Sequence, residues 1–190
     1  KPEWIDFRQP VMPSREKWTV EFFKRYKEEI NLPFRCFSHP LLITEPGVRA
    51  LKEAGCYAIQ MGVECWDEEI RNVVVNRRES NEQIQKAVDI MERVGQHYAC
   101  DYILGLPRLP KTLPDGTTVP LNDEETLESY KNEMMGFAEF IIPLKYCYRI
   151  APFMISYMPG TDLIEHGLNS GDLDLDEVRR LQEGLHDNYM

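Results

Sequence analysis

The residues best able to do chemistry in this sequence are a few polar groups at the ends of apolar runs. Glu64 closes the run Tyr57–Val63, in which Gln60 is the strongly polar member. A carboxylate in that place emerges where a buried strand ends, and it equally suits a cap for a helix opening near Asp67. Asp101 lies between Tyr98-Ala99-Cys100 and Tyr102-Ile103-Leu104. An ionised side chain there is costly unless it is hydrogen-bonded or turned towards a ligand; the bland reading is a solvated strand edge. Gly62 and Gly105 occupy strand ends where a side chain is expected, allowing close ligand approach or simply a tight bend. Arg77, in Asn76-Arg77-Arg78, falls in a turn between two helices. It either solvates that turn or pairs bidentately with a ligand carboxylate. Glu64 and Asp101 would also serve as an acid/base pair in an ordinary barrel enzyme.

Other chemistries find less support. Cys36, Cys56, Cys65, Cys100 and Cys147 contain no CxxC or CxxxC spacing, and their odd number argues against a secreted disulfide scaffold. They read as free thiols in a reducing cytosol, with no metal ligands among them. His39, His97, His166 and His186 are scattered, and only His39 falls at the edge of a site. No nucleophile elbow, phosphate loop or Gly-x-Gly-x-x-Gly follows any strand. The net charge of −10, from 22 Lys+Arg against 32 Asp+Glu, makes a nucleic-acid partner unlikely on electrostatic grounds. No apolar run approaches the ~18 residues of a membrane span, so the expected setting is cytoplasmic, with no membrane partner.

These residues need a scaffold, and the hydrophobic pattern supplies one. Strands are expected at Trp4–Phe7, Phe34–Ser38, Tyr57–Val63, Tyr98–Leu104 and Tyr148–Tyr157. Ser14 should cap a helix facing the core through Trp18, Phe22, Tyr26 and Ile30. Thr44 caps the next helix, Asp67 opens a short one, and Ser80 with Gln83 forms a capping box for a fourth closed by Gly95. Arg108–Asn122, with Pro110, Pro114 and Pro120 around Asp115-Gly116, reads as a long loop. A helix from Asn122 should bury Leu127, Tyr130, Met134, Phe137 and Ile141. After Pro159-Gly160-Thr161 come an acidic turn and a last helix carrying Val178, Leu181 and Leu185. Repeated strand–helix alternation gives an α/β fold with a parallel sheet, either doubly wound or an arc of a β/α barrel of about five βα units. In such folds ligands sit at the carboxyl ends of the strands, which selects Glu64, Asp101 and the Gly105 turn.

An ordered series of segments carries a family resemblance. It comprises Leu32-Pro33-Phe34-Arg35-Cys36, Leu51-Lys52-Glu53-Ala54-Gly55-Cys56, Gln60-Met61-Gly62-Val63-Glu64 and Asp67-Glu68-Glu69-Ile70-Arg71. It continues with Asn76-Arg77, Ser80-Asn81-Glu82-Gln83-Ile84, Ile103-Leu104-Gly105-Leu106-Pro107 and Pro159-Gly160-Thr161. In this order the chain resembles the radical S-adenosylmethionine superfamily, especially its cobalamin-binding-type and anaerobic magnesium-protoporphyrin-cyclase-like branch. The resemblance implies a partial, TIM-barrel-like β/α barrel over residues 1–165, with 166–190 as an acidic turn and C-terminal helix. It implies S-adenosylmethionine and a 4Fe-4S cluster as cofactors, with cobalamin optional, and a 5′-deoxyadenosyl radical that modifies a small-molecule substrate. An electron donor such as flavodoxin or ferredoxin would serve it. The family's CxxxCxxC loop and Gly-Gly-Glu motif have no counterpart here, so the chain is expected to be a C-terminal part of the barrel, with cluster ligands upstream, and inactive alone. Carried over residue by residue, Glu64 would contact the cofactor, Arg77 its methionyl carboxylate and Asp101 its ribose hydroxyls; the backbone of Leu104 and Gly105 would lie near the adenine. Cys65-Trp66 replaces the small residues usual after the glutamate, and Asp6-Phe7-Arg8 offers one aspartate where the family often has two. The rival expectation is a cluster-less barrel that binds a ligand or partner without catalysis.

Overall fold

The computed structural model describes residues 2–8 and 17–183. Five strands form one sheet in the order β1 (Ile5–Phe7), β2 (Phe34–Ser38), β3 (Cys56–Glu64), β4 (Tyr98–Leu104) and β7 (Cys147–Met154). The first three pairings are parallel. At the start of the last pairing the Tyr98 amide donates to the Tyr146 carbonyl (3.1 Å), and at its end the Ile155 amide donates to Leu104 (2.9 Å). β7 therefore runs the same way. Between the strands lie α1 (Lys17–Glu29), α2 (Glu45–Glu53), α3 (Glu68–Val73) and α4 (Asn81–Val94). The fold class is the expected α/β architecture around a parallel sheet. Among the described residues no helix is long and apolar enough to cross a membrane.

Two compact units divide the chain. The first holds the chain up to Glu64, Glu79–Tyr102 and Ala138–Phe153, and so most of the sheet. Its strands alternate faces, as the two-residue period requires. Asp6, Arg35, Phe37, Gln60, Gly62 and Asp101 share one face by register, while Cys36, Ser38, Met61 and Cys100 share the other. On the apolar face Phe23 of α1 stacks on Phe34 (centroids 4.7 Å, planes 7° apart), and Phe7 meets both rings edge-on. Ser14, the expected cap of α1, lies outside the described residues.

The expected core row of α1 is corrected. Thr19, Phe23 and Tyr26 are buried, whereas Trp18 and Ile30 are 61% and 51% exposed. A strict four-residue row drifts by about 40° per step on a 100°-per-residue helix, so its ends leave the core. The other helix ends follow the sequence signals. Thr44 Oγ1 accepts from Gly47 N, Ser80 and Gln83 cap each other, and Gly95 closes α4 at φ 69°. The N-cap of α3 is Asp67, whose Oδ1 accepts from Glu69 N and Ile70 N (3.0 and 3.1 Å).

The second unit holds Cys65–Arg78, Ile103–Phe137 and the chain from Met154 on. Its core is Cys65, Ile70, Val74 and Leu106, with Ile103, Leu109, Ile155 and Leu163 packed around it. The expected long loop contains an antiparallel hairpin, β5 (Lys111–Thr112) with β6 (Thr118–Val119), turned by Asp115-Gly116 with Gly116 at φ 86°. Asn122 and Glu125 cap each other at the start of α5 (Asp123–Ile141). That helix buries Glu133, Phe137 and Phe140 and leaves Leu127 and Met134 exposed, a further correction of an apolar row. A buried ion pair made by Glu133 is invisible to a hydropathy count. Helix α6 (Asp162–Ser170), absent from the sequence expectation, precedes α7 (Leu175–Gln182), which has no buried residue. Leu185, expected in that helix, lies outside the described residues.

Two polar clamps of the first unit can be tested. Glu92 on α4 accepts from the Tyr98 hydroxyl (2.8 Å) and from the Lys145 and Tyr146 amides (3.0 and 2.9 Å). Glu92→Ala strands a buried tyrosyl hydroxyl, so urea denaturation should register a loss of about 1–3 kcal/mol. Asp6 pairs bidentately with Arg35 (2.7 and 3.1 Å), and that guanidinium, with Arg8 beside it, holds its carboxyl below the usual carboxylate range. A depressed native pKa stabilises above the unfolded value and loses that advantage as pH falls through the native one. Asp6→Asn should therefore cost on the order of 1 kcal/mol at neutral pH. The difference from wild type should fade below about pH 4; a pH-independent difference would contradict the assignment.

Candidate functional site

Glu64 closes β3 and Asp101 lies in the middle of β4, the two carboxylates singled out by sequence. β4 is an interior strand, which removes the solvated-edge reading of Asp101. Gly62 lies directly opposite Asp101 in the register, so no neighbouring side chain covers it from that position. Gln60, one step earlier on the same face, donates its Nε2 to both Asp101 oxygens (2.7 and 3.0 Å). Gln60 is only 5% exposed, and among the described residues its Oε1 has no hydrogen-bond partner.

Glu64 ends β3 with φ 65°, the left-handed region that costs a side-chain-bearing residue roughly 1–2 kcal/mol. The register shifts between Gly62 and Glu64, so that Glu64 rather than Val63 pairs with Tyr102. A bulge of this kind re-aims a side chain at the end of a strand. The helix-cap role considered for Glu64 is filled by Asp67. Strained backbone at such a place is an observation from which function can be argued.

The second unit holds the remaining candidates. Arg77 follows Asn76, itself at φ 55°, and its amide donates to Arg71 O at the end of α3 (3.1 Å). Gly105 adopts φ 79°, and a Cβ there would touch Ile155 at 3.4 Å, so the turn after β4 favours glycine on both counts. The Leu104 carbonyl is already engaged by Ile155 N. Beyond that turn, Arg108 pairs with Glu133 at 2.6 Å, both nearly fully buried, and lies 3.8 Å over the Tyr130 ring. The Cys65 thiol donates to Glu133 (3.2 Å); burial, with the carboxylate adding to it, pushes that thiol's pKa up. The Tyr130 hydroxyl donates to Leu106 O (2.8 Å), tying α5 to the Gly-Leu-Pro turn. A groove beside Trp66 and Asp67 carries Glu124, Glu125 and Glu128 but none of the five candidates.

Sequence reasoning passed over Gln60 as a site residue and did not anticipate the Arg108–Glu133 pair. The signal for Gln60 was available: a polar residue inside an apolar strand, two positions before the glycine opposite Asp101. His39 accepts from Leu41 N (3.2 Å) and lies 3.5 Å from the buried Glu79. The thiols pair off in the first unit. Cys36 and Cys56 stand 3.9 Å apart, and Cys100 hydrogen-bonds Cys147, raising the first and lowering the second. Among the described residues no group of three or more His, Cys, Asp or Glu is placed to hold a metal ion.

No family model matches the sequence, and no curated protein matches it. Solved structures do match its fold. Coproporphyrinogen III oxidase (HemN) from Escherichia coli, described as a radical SAM enzyme, superposes with a TM-score of 0.62 at 16% identity, over 96% of this chain and 39% of its own. The radical S-adenosylmethionine methyltransferase TsrM from Kitasatospora setae, solved with cobalamin and a 4Fe-4S cluster, gives 0.56 at 11% identity, over 80% of this chain and 26% of its own. Methylornithine synthase (PylB) gives 0.54 at 17% identity, over 95% and 48%. The chain thus spans less than half the length of each. With its parallel sheet and the helices between its strands, the chain has the fold of the radical S-adenosylmethionine enzymes.

Proposed function

We propose that this chain forms the part of a radical S-adenosylmethionine enzyme that contacts the nucleoside and amino-acid portions of S-adenosylmethionine. One observation carries the reading: Asp101, on an interior strand of a sheet with this fold, faces a glycine and is held at both oxygens by a buried amide. A fixed, ionisable acceptor beside open backbone suits a ribose hydroxyl. Glu64, set at a strained strand end, is the further polar contact for the cofactor. Arg77 is the candidate for the methionyl carboxylate, since a guanidinium matches that fork bidentately, and the backbone of Leu104 and Gly105 is the candidate for the adenine. When bound in the whole enzyme beside a 4Fe-4S cluster, S-adenosylmethionine supplies the radical that starts the reaction. Cobalamin, a reductant of the flavodoxin or ferredoxin type, a small-molecule substrate and a cytoplasmic setting complete this proposal; the reaction is oxidative or a group transfer.

Binding of S-adenosylmethionine to the chain, measured by calorimetry, tests the reading. The wild type should bind, and Asp101→Asn should weaken binding about tenfold, the effect of losing one charge-assisted hydrogen bond. Equal affinities, or no binding by either, would sink the assignment. Glu64→Gly separates site from scaffold. It should raise stability in urea by about 1 kcal/mol by relieving the left-handed φ, while lowering affinity for S-adenosylmethionine. A destabilised Glu64→Gly chain would show that this backbone is not strained for function.

A further inference from the structure

The buried amide of Gln60 does more than fill space. Its Nε2 reaches both oxygens of Asp101, which fixes the rotation of the carboxylate about its own bond. Because Nε2 faces Asp101, Oε1 must point away, and it is buried without a partner among the described residues. An unsatisfied buried carbonyl is an uncommon expense for a structural residue. A methionine or leucine would fill the same volume in this otherwise apolar strand without that expense. The arrangement makes sense if the amide is retained for Asp101, whose two oxygens it holds. Gln60 and Asp101 share one face of the sheet with Gly62 between them in the pattern, and no side chain on Gly62 intervenes.

We infer that Gln60 is the positioning residue for Asp101, presenting the carboxylate in the orientation that distinguishes a ribose from a deoxyribose. This rests on the reading of Asp101 as the ribose contact. Gln60 acts through the direction of the Asp101 oxygens, so its removal should erase discrimination at the sugar more than affinity for the base.

The test compares adenosine with 2′-deoxyadenosine, titrated into the full chain and followed by amide NMR, for wild type, Asp101→Asn, Gln60→Met and the double variant. Wild type should favour adenosine by about tenfold, one hydrogen bond's worth of discrimination. Gln60→Met should bring that ratio close to one, and the double variant should match Asp101→Asn alone. A ratio retained in Gln60→Met but lost in Asp101→Asn overturns the role of Gln60 and leaves the ribose assignment standing. Equal weakening towards both nucleosides in Gln60→Met overturns it too, since that is what a merely structural residue would show. A wild type that binds neither nucleoside, or both equally, removes the ribose assignment and the role of Gln60 with it. If Gln60→Met does not fold, Gln60→Asn keeps the amide but withdraws it by one methylene. Loss of the ratio there supports the positioning role, and an unchanged ratio overturns it.

Discussion

A carboxylate on an interior strand of a parallel sheet is partly withdrawn from water, and hydrogen bonds must make good what hydration it loses. Asp101 imposes that requirement on its surroundings. Its neighbour across the register is Gly62, the next polar group on the same face is Gln60, and one strand further out Arg35 meets Asp6 in the same way. One face of the sheet therefore carries hydrogen-bonded polar pairs while the other takes the rings of α1. A sheet buried equally on both sides would read as unbroken hydrophobic runs, and β3 nearly does. Gln60 and Gly62 are its departures from that pattern, and both sit beside Asp101.

The second unit solves a related problem at greater electrostatic cost. Arg108 and Glu133 are buried together, and among the described residues two guanidinium nitrogens of Arg108 have no hydrogen-bond partner. Desolvating both charges offsets much of their attraction, so such a pair is weak support for stability on its own. Its geometry contributes position instead. The pair, the Cys65 thiol and the Tyr130 hydroxyl together hold α5 to the backbone just after Gly105. A turn with a left-handed glycine is soft, and contacts of this kind restrict it.

Legibility in the sequence followed the range of the interactions. Strands and helix caps were readable because a strand's period and a cap's hydrogen bond involve neighbours in the chain: β2 and β4 have the expected bounds, and the Ser80–Gln83 box forms as its spacing implies. Outward rows on α1 and α5 were misread because the sequence does not say which side of an amphipathic helix meets a partner. Trp18 and Phe22 stack on each other at 5.2 Å outside the core, a local contact that satisfies the same periodicity. Glu133 escaped because its partner lies 25 positions away in Arg108. The hairpin in Arg108–Asn122 escaped because two-residue strands leave no period to detect.

The same distinction separates the candidates from one another. Glu64 and Gly105 could be named from strand ends and Asp101 from the apolar run it interrupts, and the backbone angles of Glu64 and Gly105 give each a physical reason to be where it is. Arg77 needed the resemblance, since nothing local marks an arginine in a turn. Gln60 stood out in the sequence only as a polar residue inside an apolar strand; its contact with Asp101 on the neighbouring strand needed the structure. A fold that places its most exacting hydrogen bond between two adjacent strands, one of them carrying the glycine opposite, has built a rigid acceptor on elements rather than loops. Rigid placement matters most for ligands read by direction, such as a hydroxyl, and least for those read by charge alone. That makes the β3–β4 pairing the part of this chain whose precision the proposed ribose contact would use.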